Sequence, residues 1–159
     1  MKRKLDNPDP MPADRHTHDS TAARAAEMLR RFGIRPSQLR LTVLEHLMEH
    51  PDHATADELI EALSDKLQSI SKTTVSNTIR LFADSGAIQA LSVGLEPEHY
   101  DATGEPHAHF FCTKCRKMHD VPITSETWTQ LSTAAPEESH EIQVFYKGIC
   151  KDCASEYDR

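Results

Sequence analysis

The chain has 159 residues, with 18 Lys and Arg against 25 Asp and Glu, for a net charge of −7. That length suits one domain or two small ones. No apolar run approaches the roughly 20 residues needed to cross a bilayer, which excludes a membrane-spanning helix.

The start, Met1-Lys2-Arg3-Lys4 followed by Leu5-Asp6-Asn7-Pro8-Asp9-Pro10, lacks the apolar core of a signal peptide. The expected setting is the cytoplasm, where thiols stay reduced and cysteines meet metal rather than each other. The acidic sum argues against nucleic acid, but charge is unevenly placed. Arg24, Arg30, Arg31, Arg35 and Arg40 gather early, with no acid from Arg30 to Arg40. The acids come later, at Glu96, Glu98, Asp101, Glu105, Glu137, Glu138 and Glu141. An Arg-rich stretch of this kind reads equally as a surface for phosphates and as a solubilised helix face.

Residues 1–20 are rich in Pro and Asp and show no periodicity, which predicts a flexible tail. Its His16-Thr-His18 reads as solvated. Residues 21–33 predict a helix capped by Ser20 or Thr21 and stopped by Gly33. Pro36 predicts the first turn of a second helix, ended by Pro51, with Leu39, Val43, Leu44, Leu47 and Met48 on one stripe. Thr55-Ala-Asp-Glu58 is a capping box for a third helix that buries Leu59, Ile60, Leu63 and Leu67.

A fourth helix runs from about Ser71 to Gly86 and turns Val75, Ile79 and Phe82 inward. Its opposite face carries Thr73, Ser76, Asn77 and Arg80 at i, i+3, i+4 and i+7. A solvent-facing helix usually carries Glu and Lys. Short hydrogen-bonding side chains plus one Arg suit base edges and phosphates. Two short strands follow, Ala87–Val93 and Glu98–Asp101, separated by Gly94 and Pro97. Helices followed by a β-hairpin predict a winged helix-turn-helix over 21–102, with the fourth helix in the major groove of DNA. The competing reading is a helical domain with a decorative hairpin.

Asp101–Pro106 reads as a hinge, and 103–159 as a second, small α/β domain. Strands are expected at His107–Cys112 and Met118–Val121, a helix at Ser125–Ala134 and a strand at Glu141–Ile149. All four cysteines lie here, as two C-x-x-C pairs, Cys112/Cys115 and Cys150/Cys153. Two such turns complete a tetrahedral four-sulfur zinc site, which staples rather than catalyses. A pair of disulfides or a redox C-x-x-C is the other reading. A unit this small has little core, so the zinc is expected to be a structural requirement.

His107-Ala-His109 precedes Cys112 on the same predicted strand. Alternation puts His107 and His109 on one face and Cys112 on the other, so the histidines belong to a different site. Asp101, Asp120 and His53 are the available partners, and imidazole with carboxylate suits Fe(II), Mn(II) or Zn(II). The plain alternative is a pair of surface histidines.

Arg35-Pro-Ser-Gln-Leu-Arg40, His53-Ala-Thr-Ala-Asp57-Glu58-Leu, Ser71-Lys-Thr-Thr-Val-Ser-Asn-Thr-Ile-Arg80 and His107-Ala-His-Phe-Phe-Cys-Thr-Lys-Cys115 together resemble the ferric uptake regulator (Fur) family, over roughly 21–155. The resemblance implies a homodimeric, metal-dependent repressor of operator DNA, with a winged-helix domain followed by a dimerisation domain. It implies structural Zn²⁺ on Cys112, Cys115, Cys150 and Cys153, and regulatory Fe²⁺ or Mn²⁺ on His53, Asp101, His107, His109 and Asp120. DNA contacts are expected from Arg35, Arg40, Thr73, Ser76, Asn77 and Arg80. Iron-uptake regulators usually carry glutamates at the two carboxylate positions, whereas the peroxide-sensing PerR branch has aspartates, as at Asp101 and Asp120. Pro106 and Ala108 replace the His and Asp of an accessory site, which leans the same way. Ser76 stands where the family usually has Tyr, so either an altered operator or a lower affinity for a standard one is expected. An iron-responsive regulator is the alternative. From other classes, a metalloenzyme or a zinc-ribbon adaptor for protein partners remains; the first has many ligands for catalysis and no separate general base, and the second leaves the polar face of the fourth helix unexplained.

Overall fold

The computed structural model describes residues 20–94 and 97–155. The predicted tail with His16 and His18 lies outside those residues, apart from Ser20. The chain divides into two compact units, one ending at Thr103 and the other beginning at Gly104. Among the described residues, no helix is long and apolar enough to cross a membrane.

The first unit opens with α1 (Thr21–Arg31), whose first turn is capped by the Ser20 side chain. It stops at Gly33, at φ +71, and the Ile34 N–H returns to the Leu29 carbonyl at 2.8 Å. Such a left-handed stop is cheapest at glycine. Helix α2 (Gln38–Glu49) begins later than the sequence predicts. Pro36 is outside it, because the Ser37 hydroxyl accepts the Arg40 N–H and takes the cap. Helix α3 (Ala56–Ala62) has the full capping box: Thr55 N–H donates to Glu58 Oε2 at 2.7 Å, and Glu58 N–H donates back to Thr55 Oγ1. Helix α4 (Lys72–Ser85) starts at the Ser71 cap and ends at Gly86, left-handed at φ +80.

These helices share one core. Leu29, Val43, Leu44, Leu59, Leu63, Val75, Ile79 and Phe82 are buried in it, and Ile60 is only partly so. The hairpin is shorter than predicted: β1 (Gln89–Leu91) pairs antiparallel with β2 (His99–Asp101). Ala87 and Ile88 do not extend β1, because their N–H groups turn back to the Phe82 carbonyl and their side chains enter the helical core. An isolated bridge joins Thr55 to His99.

In the second unit β3 (His107–Cys112) is central. It pairs antiparallel with β4 (Met118–Pro122) and parallel with β5 (Phe145–Gly148). Helix α5 (Ser125–Ala134) has the predicted bounds and is capped by Thr124. The last strand covers only part of the predicted 141–149: its register with β3 runs over Phe145–Gly148, with the Val144 carbonyl accepting the His109 N–H just before it. A short helix, α6 (Lys151–Ser155), was not predicted and carries Cys153. Fully buried apolar side chains are few among the described residues here: Ala108, Phe111 and Met118 beside Cys112 and Cys153. The fold is thus α+β, a helical unit with a wing followed by a small sheet unit.

Candidate metal centres

The four cysteines come together at one end of the sheet. Cys112 ends β3, Cys115 lies in the turn to β4, Cys150 sits between β5 and α6, and Cys153 is inside α6. Thr113 N–H donates to Gly148 O at 2.8 Å and ties the first turn to the end of β5, while Arg116 N–H closes that turn on Cys112 O at 2.9 Å. All four thiols are free, and their sulfurs lie within 4.8 Å of one another. The Cys115–Cys150 Sγ separation is 3.8 Å. A disulfide needs about 2.05 Å, whereas Zn–S bonds of about 2.3 Å give tetrahedral edges of about 3.8 Å.

The electrostatics agree. Backbone N–H groups, of Cys115 first and then Cys150, pull the Cys112 thiol down to about 6. Burial and neighbouring sulfurs push Cys153 up to about 12. Four thiolates cannot be held this close without a cation. Zinc is that cation, and the donor set fits it.

The nitrogen and oxygen donors form two groups, one in each unit. In the first unit His53 lies between α2 and α3 and Asp101 closes β2; they are 2% and 3% exposed. His53 Nε2 is 3.8 Å from Asp101 Oδ1. That is too long for a hydrogen bond and suits two ligands of one ion. Asp101 Oδ1 also accepts the Thr103 N–H at 2.7 Å, which orients the carboxylate. His53 is at φ +54, a left-handed conformation that costs a side-chain-bearing residue roughly 1–2 kcal/mol. Its carbonyl is 2.7 Å from Nδ1 of His99, which is buried. His99 had no role in the sequence, where it reads as solvated or locally hydrogen-bonded; it bonds across 46 positions. The available signal was its place two residues before Asp101 on a strand, hence on the same face.

In the second unit His107 and His109 stand on one face of β3, ring centroids 4.5 Å apart, as alternation predicts. His109 is buried against Phe145. His107 Nδ1 is 2.7 Å from the Glu105 carbonyl. A carbonyl only accepts, so Nδ1 carries the proton. This fixes the tautomer and turns the Nε2 lone pair outward, the usual arrangement of a ligating histidine. Nε2 lies 3.1 Å from Asp120 Oδ1 on β4. Lone pair facing carboxylate calls for a proton or a metal cation between them. Imidazole and carboxylate together suit Fe(II) or Mn(II).

On α4, Thr73, Asn77 and Arg80 are exposed and Ser76 is half-buried. Arg40 Nη1 donates to the Arg35 carbonyl at 2.7 Å. Arg35, Arg40 and Asn77 line an open groove of 610 Å³ together with Thr74, Thr78 and Leu81, which sequence reasoning did not single out. His50, His119 and His140 are exposed, and His46 is half-buried against His50.

The sequence model of the ferric uptake regulator family matches residues 31–145. The peroxide-responsive repressor PerR of Staphylococcus epidermidis is 30% identical over 150 residues, covering 92% of this chain and 99% of that protein. PerR of Staphylococcus aureus strain Mu50 is 32% identical over 129 residues, 79% and 86% of the two chains. Among solved structures, the Helicobacter pylori ferric uptake regulator Fur superposes with a TM-score of 0.64 at 20% identity, over 96% of this chain and 97% of that one. The chain therefore belongs to the ferric uptake regulator family, a family of metal-responsive regulators.

Proposed function

We propose that this regulator is a homodimeric repressor of operator DNA that senses peroxide through Fe(II) or Mn(II) held by His53, Asp101, His107, His109 and Asp120. The observation that carries the reading is the pair of His/Asp groups, His53 with Asp101 and His107 with Asp120, both carboxylates being aspartates and neither group containing a thiolate. Relatives named peroxide-responsive repressors support it.

The mechanism follows from where the donors sit in the chain. His53 and Asp101 belong to the first unit, and His107, His109 and Asp120 to the second. Sharing one ion between them restricts the segment around Thr103 and Gly104. In a dimer this sets the spacing of the two α4 helices, which must match half-sites one or more helical turns apart. Strand β5 lies at the sheet edge with Tyr146 half exposed, and Ile149 just beyond it is equally open, which supports pairing of second units.

With Fe(II) held by these residues to activate it, peroxide would pass one oxygen into a C–H of the His53 or His107 ring, the ring giving up the two electrons and the second oxygen leaving as water. His53 and His107 are the side chains expected to be oxidised, and an oxidised ring loses its hold on the site and frees the hinge. Mass spectrometry of Fe(II)-loaded protein after dilute peroxide is expected to show one added oxygen on a peptide carrying His53 or His107, with loss of operator binding. Protein loaded with Mn(II) is expected to stay unmodified. Unmodified peptides and intact DNA binding after Fe(II) and peroxide leave an iron-responsive regulator instead.

DNA recognition is assigned to α4, with Thr73, Ser76, Asn77 and Arg80 toward base edges and Arg35 and Arg40 toward phosphates. Arg80→Ala is expected to weaken operator binding by roughly 5- to 150-fold, the loss of one base-reading arginine. Metal affinity measured without DNA is expected to stay as in wild type. An unchanged gel shift across a salt titration would remove Arg80 from the interface.

A further inference from the structure

Strand β2 carries two polar residues on one face, His99 and Asp101, with Tyr100 between them on the other. Both are buried, at 7% and 3% exposure. Asp101 is a proposed ligand; His99 has no part in the proposed function. Its ring is nonetheless fixed. Nδ1 lies 2.7 Å from the His53 carbonyl, and since a carbonyl only accepts, His99 is the donor.

The residue held by this bond is in a conformation that needs support. His53 is outside both α2 and α3, at φ +54, where a residue with a Cβ is disfavoured. The chain just after it is fastened to the same strand. Tyr100 N–H donates to the Ala54 carbonyl at 3.1 Å, and Thr55 bridges to His99. Thr55 is in turn the cap of α3, bonded to Glu58. One short strand therefore fastens the α2–α3 connection while also presenting Asp101.

From this geometry we infer that His99 is a positioning residue for the regulatory metal: its Nδ1–H holds the left-handed backbone of His53, and β2 thereby fixes His53 and Asp101 relative to each other. The inference rests on the reading of His53 as a ligand. Without the donor, the buried His53 carbonyl loses this partner and the left-handed conformer loses its advantage over extended ones. The ring then leaves the position in which Nε2 sits 3.8 Å from Asp101 Oδ1.

The test is Mn(II) titration of the zinc-loaded dimer, with pulsed electron paramagnetic resonance to count coordinated nitrogens. His99→Phe keeps a buried ring but has carbon where Nδ1 stands, and His99→Ala drops the donor with less bulk. His99→Asn places an amide nitrogen close to the Nδ1 position. The Phe and Ala variants are expected to bind Mn(II) about tenfold more weakly and to lose one nitrogen coupling, while Asn stays within about threefold of wild type. Zinc content and melting temperature are followed throughout. If whichever of the Phe and Ala variants folds binds Mn(II) as wild type does, while His53→Ala loses it, the positioning role is wrong and the ligand reading stands. If His53→Ala itself binds Mn(II) normally, the ligand reading fails and takes this inference with it. Equal weakening in Phe, Ala and Asn with lowered melting temperatures makes His99 merely structural and also overturns it.

Discussion

Cys112→Ser is expected to abolish stoichiometric zinc and to unfold residues 104–155 while the helical unit stays folded. The two units differ sharply in what holds them. The first encloses a continuous core that includes Leu29, Leu44, Leu59, Ile79 and Phe82, all at or below 1% exposure. Among the described residues of the second, the buried apolar side chains are Ala108, Phe111 and Met118, besides Cys112 and Cys153, and His109 is buried with them. Helix α5 contributes no buried residue at all. So few buried side chains make a thin core, and small units of this kind depend on a further staple. Structural zinc in small domains contributes on the order of 10–16 kcal/mol at neutral pH, a share that a unit with so thin a core is not expected to replace. Cys112 is the most embedded ligand: it ends the central strand, is fully buried, and accepts the Cys150 N–H on its sulfur at 3.4 Å. Serine offers a harder, more basic oxygen that stays protonated. Zinc analysis, far-ultraviolet circular dichroism and sedimentation should therefore show one event: metal lost, strand signal lost, the proposed dimer lost, helical signal retained. A variant that remains a dimer with its strand signal intact would mean that the sulfurs are not the staple.

The parts of this molecule visible in its sequence are those written in short windows. A helix cap is settled within four residues, so the Thr55/Glu58 box and the Ser71 start read directly. Both cysteine pairs and the His107/His109 alternation are equally local. Pro36 misled because two cap signals are adjacent and the Ser37 hydroxyl outcompetes the proline. Strand lengths were overestimated because a strand extends only as far as its partner does. The pairing of β5 with β3 stops within a residue of Phe145–Gly148, and Ala87 and Ile88 are drawn into the helical core. Helix α6 is too short to show a period. His99 was missed for the opposite reason: its bond to His53 spans 46 positions, and no window contains both. Candidate ligands could be named from type and spacing, whereas His99, proposed to hold one of them in place, makes its bond only in the tertiary structure.

His53→Ala is expected to uncouple metal from DNA. In the proposed mechanism a single ion contacts both units, so Mn(II) favours one arrangement of the α4 helices over others, and its leverage equals its differential affinity for that arrangement. Removing His53 leaves Asp101 as the first unit's sole ligand, a carboxylate already bonded to the Thr103 N–H. The second unit keeps His107, His109 and Asp120 and is expected to retain weak Mn(II) binding through them. What disappears is the bridge. Wild-type protein should bind operator roughly 5- to 150-fold more tightly with Mn(II) than without, the usual span of an allosteric coupling of 1–3 kcal/mol. For His53→Ala that ratio should fall to about one even at Mn(II) concentrations that fill the remaining ligands. Reciprocity supplies a second reading of the same quantity: operator DNA must raise Mn(II) affinity by the same factor in wild type, and must fail to do so in the variant. Measuring both directions separates a lost ligand from a lost link, since a variant that merely binds metal poorly recovers full coupling when metal is added in excess. Persistence of a Mn(II)-dependent gain in DNA affinity in His53→Ala would place the communication between metal and α4 somewhere other than the His53–Asp101 pair.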